Sequence, residues 1–190
     1  MSQFAYLPSF KKLGWVVALL ASSMGFGVST ANAQNHVGLY PNIPWNNNMQ
    51  QCWDAAARYH SVDPWLLYAI AKVESEYNPY AVNQANSNGT VDTGLMQINS
   101  IHWPTLRRYG IEPSALKNAC ASTYIGAWIL AQNQRRYGNS WKAIAAYNVG
   151  SVETPRRAQV GYKYAAKVYR TYEELTRGRQ VAQSSSASMR

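Results

Sequence analysis

Cysteine, histidine and acidic side chains are all scarce in this chain. Two cysteines in 190 residues exclude a disulfide-dense scaffold. The three histidines, His36, His60 and His102, are isolated and lack the spacing that a zinc site needs. Neither a metal nor a cofactor is expected. Nine Asp and Glu stand against eighteen Lys and Arg, for a formal net charge of +9. That excess points to anionic partners such as envelope polymers or lipid headgroups. Nucleic acid is the competing anion, but the basic residues are scattered and form no nucleic-acid motif, so no such partner is expected. Internal repeats and sustained period-2 alternation are also missing, which leaves a mainly helical domain.

Long apolar runs are confined to the start of the chain. Lys11 and Lys12 precede an apolar stretch from Leu13 to Val28 that is interrupted by Gly and Ser, and Ala31-Asn32-Ala33 offers a small-residue cleavage site. Residues 1–33 therefore read as a secretory signal, cleaved after Ala33 to leave an exported, periplasmic protein. The competing reading is a retained anchor, but the run is short for a spanning helix, so no stable membrane anchor is expected after cleavage. No cysteine lies beside the cleavage point to carry a lipid. Loss of Lys11 and Lys12 lowers the formal charge from +9 to +7. In an exported chain Cys52 and Cys120 read as one disulfide, which could add about 4 kcal/mol on the chain-entropy argument.

The rest of the chain divides into one domain, 34–175, and a basic tail, 176–190, whose Ser-rich composition predicts disorder. Asn46-Asn47-Asn48 can cap a first helix ending near Tyr59, and Asp63-Pro64 opens a second. Tyr77 to Thr90 is turn-rich, and Val91 to Asn99 is ambiguous. Pro104 allows a short helix towards Tyr109. Asn118 to Tyr137 reads as a long helix burying Cys120, Tyr124, Trp128 and Ala131. Ser140 should cap a short helix through Tyr147, with Gly150 ending it. A last helix from about Gly161 to Leu175 should bury a stripe of Tyr162, Ala166, Tyr169 and Tyr172.

Within the second helix, Leu66, Leu67, Ile70, Ala71, Val73 and Glu74 share one face. A carboxylate on an apolar stripe, near the negative end of a helix dipole, should have a raised pKa, which suits a general acid near neutral pH. Glu76, about 200° further round, should face water. A lone Glu at such a place is also compatible with a simple ion pair, so its meaning depends on the blocks C-terminal to it.

Two such blocks stand out, Gly94-Leu95-Met96-Gln97-Ile98-Asn99 and Ala146-Tyr147-Asn148-Val149-Gly150. With Glu74-Ser75, these blocks in this order and spacing resemble the lysozyme-like (SLT-domain) lytic transglycosylases, over roughly Gln51 to Gly150. The resemblance implies a lysozyme-like α (α+β) domain with a cleft for peptidoglycan glycan strands. It implies Glu74 as the single catalytic acid, with Ser75, Asn83, Met96, Gln97, Asn99, Tyr147 and Asn148 along the substrate site. Trp45, Trp103 and Tyr80 are further candidates for stacking on sugars. The implied reaction cleaves the bond between N-acetylmuramic acid and N-acetylglucosamine and leaves a 1,6-anhydro end. The short chain is similar to specialised members that accompany envelope-spanning secretion, conjugation or pilus machines.

Val91-Asp92-Thr93-Gly94 departs from the usual pattern, and Asn83 takes a place where many relatives have Ser. The stretch is also similar to animal-type lysozymes, whose second carboxylate falls at Asp92. Asp92 accordingly has two possible roles. It is either a partner of Glu74 in hydrolysis or a residue that shapes a turn and orients substrate, and the A-Y-N-V-G block favours the latter.

Overall fold

The computed structural model describes residues 49–188, with side chains through 179. The signal segment 1–33, His36, Trp45 and the Asn46-Asn47-Asn48 cap lie outside the described residues. Helix α1, Met49–His60, buries Cys52, Trp53, Ala56 and Ala57. Helix α2, Pro64–Ser75, starts as its sequence requires: Pro64 sits in the first turn and the Asp63 carboxylate accepts the Trp65 N–H at 2.8 Å. It ends one residue after Glu74. Glu76 is the left-handed cap, with φ 52°, and Tyr77 has φ 67°. Glu76 therefore faces water from beyond the helix end, where a non-glycine residue costs about 1 kcal/mol and turns the chain sharply towards the next segment.

That segment forms a small antiparallel sheet in the order β1 (Val82–Asn83), β2 (Asp92–Thr93), β3 (Ile98–Asn99). Strands of two residues are too short to show alternation, so no sequence period could announce them. Their register places Asn83 opposite Asp92, and Asp92 opposite Asn99. A 3-10 turn at Ser100–His102 leads into α3, Trp103–Arg108, and a second at Pro113–Lys117 precedes the long helix α4, Ala119–Tyr137. Asn118 caps α4 by accepting the Ala121 N–H at 3.0 Å.

Helix α4 is the centre of the core, and its first turns are buried on nearly every side. Cys52 and Cys120 join it to α1 through a disulfide with Cα atoms 5.4 Å apart. Trp128 is only half-buried and stands edge-on to His102. Helix α5, Trp141–Val149, buries Ala143, Ile144, Ala145 and Ala146. Ser140 occupies its cap position without capping it, because the hydroxyl turns back to donate to Tyr137 O at 2.9 Å.

Helix α6, Pro155–Ser188, differs from its sequence reading at both ends and on its face. It starts six residues before Gly161, since Pro155 suits a first turn and Thr154 Oγ1 accepts the Arg157 N–H at 3.4 Å. It continues through most of the tail read as disordered. No proline interrupts residues 176–188, and the one glycine there, Gly178, costs only about 1 kcal/mol relative to alanine, so the helix propagates through it. The packed stripe is Gly161, Tyr164, Ala165 and Val168, whereas Tyr162, Ala166 and Tyr169 are exposed. Small residues let α6 approach α5 closely, so side-chain size decides the face where aromatic content suggests another. Among the described residues, no helix is long and apolar enough to cross a membrane.

Candidate active site

Glu74 lies half-buried at the last turn of α2. Its Oε1 accepts a hydrogen bond of 2.6 Å from the Tyr164 hydroxyl, which arrives from α6 ninety positions later. Burial pushes the carboxyl from 4.5 up to about 7, the Tyr164 hydrogen bond pulls it back, and the charge of Asp92 adds a smaller upward push. Near neutral pH both protonation states of Glu74 are then populated. Burial, with Glu74 nearby, holds the Tyr164 hydroxyl well above its usual range, so it stays protonated and remains a donor. Tyr147 is raised in the same way and donates to Met96 O at 3.0 Å.

The carboxylate of Asp92 sits in a collar of amides. Asn99 Nδ2 donates to Oδ1 at 2.7 Å, while Asn86 and Asn83 donate to Oδ2 at 2.8 and 3.1 Å. Two of these donors come from the residues that face Asp92 across the sheet, so the register of the three short strands builds the collar. The collar is locked further. Asn99 Nδ2 also donates to Thr90 Oγ1 at 2.8 Å, its Oδ1 accepts the Ile101 N–H at 3.0 Å, and Asn83 Oδ1 accepts the Ala85 N–H at 3.1 Å.

The block from Gly94 to Ile98 places its side chains on different sides. Gly94 has φ 83°, and a Cβ there would meet Leu116 O at 2.0 Å, so only glycine fits. The family resemblance puts Met96 on the cleft wall, but its side chain is fully buried. It packs on α4 at Gly126, where a Cβ would come within 2.7 Å of Met96 Cε. Gln97, at φ 45°, turns the other way and lines the cleft. Its amide nitrogen donates to Gly94 O and Ala81 O at 2.9 and 3.1 Å, which leaves the amide oxygen to offer to a ligand. Ser75 does not line the cleft; its hydroxyl donates to Leu95 O at 2.7 Å and so pins the end of α2 to this block.

The cleft has a volume of about 1020 Å³ and takes its walls from α2, the sheet, α4, α5 and the start of α6. Glu74, Asn83, Asp92, Gln97, Asn99, Tyr147 and Asn148 all line it, as do Asn86, Thr90, Ile101, His102, Asn133, Arg156 and Arg157. Trp103 and Tyr80, read as sugar-stacking candidates, do not. Tyr164 escapes the sequence reading because the aromatic stripe of α6 is not the packed one; the spacing Gly161, Tyr164, Ala165, Val168 carries the signal. Asn86 escapes it too, since its role rests on reaching back to Asp92. Chemically, the cleft holds one carboxyl present in both protonation states near neutral pH, and a second that is bound by three amides.

The description Transglycosylase SLT domain matches residues 51–171. Over 131 residues the chain is 40% identical to invasion protein IagB of Salmonella typhimurium strain LT2, covering 68% of this chain and 80% of that one. It is 39% identical over 122 residues to protein IpgF of Shigella flexneri, covering 64% and 78% of the two chains. It is 42% identical over 124 residues to the X polypeptide of Escherichia coli strain K12, covering 64% and 72%. Among solved structures, an inactive mutant of lytic transglycosylase Slt from Pseudomonas aeruginosa aligns with a TM-score of 0.51 at 22% identity. That alignment covers 68% of this chain and 24% of the other, and it speaks for the fold alone.

Proposed function

Because this chain belongs to the transglycosylase SLT domain family, we propose that it is an exported peptidoglycan lytic transglycosylase with Glu74 as its one acid and base. The observation that carries the proposal is a carboxyl held near pH 7 by burial, hydrogen-bonded to Tyr164 and opening into a cleft lined with amides. Protonated Glu74 gives its proton to the glycosidic oxygen between N-acetylmuramic acid and N-acetylglucosamine. The C1–O bond breaks, and the N-acetylglucosamine end leaves as an alcohol. The muramoyl C6 hydroxyl oxygen then attacks C1 of the oxocarbenium-like centre, and its proton returns to Glu74. No water is consumed, and the product strand ends in 1,6-anhydro-N-acetylmuramic acid.

Tyr164 stabilises the carboxylate formed between the two proton transfers, and Gln97, Tyr147 and Asn148 line the path of the glycan. Asp92 acts through shape: it holds Asn83, Asn86 and Asn99 in place and orients the substrate wall. The second reading is a muramidase in which Asp92 assists Glu74 and water completes hydrolysis. It is favoured by one observation, that Asp92 lines the same cleft. Against it, Oδ2 already receives two amide donors and Oδ1 a third, so little of the carboxylate is left to meet a sugar carbon.

Mass spectrometry of murein digested by the wild-type protein separates the readings. Anhydromuropeptides are expected, with cleavage abolished in Glu74→Gln; reducing muramoyl ends would establish the hydrolase. In the cell, the proposed role is local opening of the wall for an envelope-spanning secretion, conjugation or pilus system. The likeness to an invasion protein supports that role, as does the reading of residues 1–33 as an export signal.

A further inference from the structure

Two arginines line the cleft without an assigned task. Arg156 and Arg157 sit in the first turn of α6, exposed and facing the same cavity as Glu74. Among the described residues neither takes part in an ion pair, and the nearby Glu153 is matched by Arg136 Nη2 at 3.4 Å. The first turn of α6 contains no acidic residue. Two cations there oppose each other and the positive end of the helix dipole, an arrangement that a bound anion relieves. A second feature lies next to them. The Arg136 to Glu153 pair fastens α4 to the segment that leads into α6, and Asn133, one turn before Arg136, also lines the cleft. Its Nδ2 is sealed from solvent and has no hydrogen-bond partner, a buried donor left unmatched beside the cleft.

We infer that the Arg156, Arg157 and Asn133 part of the cleft is a subsite for a carboxylate carried on the muramoyl unit, a deepening that rests on the lytic reading above. Guanidinium forks match carboxylates in paired hydrogen bonds. The sheet side of the cleft cannot take this part, because its amides are already committed to Asp92 and the nearest charges are negative. On a muramoyl unit the carboxylate has two sources, the lactyl group itself or the attached stem peptide. Bound at this subsite, it would anchor the strand by a group remote from the scissile bond.

The test compares Arg156→Gln/Arg157→Gln with a charge-matched control, Lys117→Gln/Lys167→Gln, whose residues do not line the cleft. Turnover is measured on peptide-bearing glycan strands and on strands stripped by an amidase, which leaves the lactyl carboxylate free. The arginine variant is expected to raise KM about tenfold with kcat within about twofold, while the control stays within about twofold of wild type. Because the lactyl group is an amide in the peptide-bearing strand, a defect confined to stripped strands assigns the lactyl carboxylate, one confined to peptide-bearing strands assigns the stem peptide, and one on both shows that the subsite takes either carboxylate. Equal KM for the two double variants on both substrates would overturn the subsite. Cosedimentation with insoluble sacculi is read in parallel. If the wild-type protein cleaves nothing, the lytic reading fails, yet weaker retention of the arginine variant than of the control still supports the subsite, and equal retention refutes it.

Discussion

Replacing Tyr164 by Phe removes one hydroxyl and keeps the ring that α6 buries against the core. The lost hydrogen bond is the 2.6 Å donation to Glu74 Oε1. That bond favours the ionised carboxylate and partly offsets the effect of burial. Its loss should therefore move Glu74 further up from about 7. A hydrogen bond to a charged group is worth about 1.5–3 kcal/mol, and about 1.4 kcal/mol corresponds to one pKa unit. Some water can reach the vacated position, so a rise of about one unit is the working figure. In the proposed reaction the first proton transfer needs protonated Glu74, so activity should fall as pH rises through its pKa. The pH profile of kcat on isolated glycan strands should then show its alkaline limb displaced upward by about one unit in Tyr164→Phe. The plateau should drop about tenfold, because the carboxylate generated in the transition state has lost its donor. An alkaline limb that stays in place, or moves down, would show that Tyr164 does not control the proton on Glu74.

Asp92→Asn should keep the outline of the collar but set an amide N–H against donors that now have nothing to give to. About 1–3 kcal/mol of stability should be lost, read by chemical denaturation, while the cleavage product remains anhydro-ended. Glu74→Gln should change stability with a defined pH dependence. The wild-type carboxyl ionises at 4.5 unfolded and about 7 folded, so its contribution is present below 4.5 and declines as pH rises through 7. The variant lacks that decline, and its Tm relative to wild type should rise between pH 4.5 and 7, by at most about 3 kcal/mol in stability. Gly126→Ala should cost about 1–3 kcal/mol by overpacking, since its Cβ would meet three Met96 side-chain atoms at 2.7 to 2.9 Å; urea denaturation reads this directly.

The helices are largely legible in the sequence because their signals are local. Asp63-Pro64 opens α2, and Asn118 and Gly138 bracket α4, by cap chemistry alone, and the apolar period puts Glu74 on the packed face of α2. The sheet is not legible, since its strands are two residues long and are defined only by what they pair with. The same limit applies to Met96 and Gln97. They are neighbours in one block, yet the left-handed backbone at Gln97 sends one side chain into the core and the other into the cleft. Periodicity presumes regular dihedrals and fails where the chain turns. On α6 the helix is regular but its buried face is misread, because tyrosine is amphipathic and its ring alone does not say whether it packs or faces water.

The cleft holds two hydrogen-bond systems with separable tasks, and only one of them reaches Glu74. Tyr164, from α6, touches the carboxyl itself and so acts on its proton. In the Asn83, Asp92 and Asn99 row the side-chain amides donate to Asp92, and the bonds run among the row's own members. Asp92 reaches Glu74 through its charge, which ranks below both burial and Tyr164 among the influences on that carboxyl. A true catalytic pair needs its second carboxylate turned to the substrate, with lone pairs available when positive charge develops at C1. In this chain the second carboxylate is turned to three amides of its own sheet and turn. In the proposed reaction, one sheet register thus lets an aspartate stand where a lysozyme has its partner while Glu74 alone carries both proton transfers.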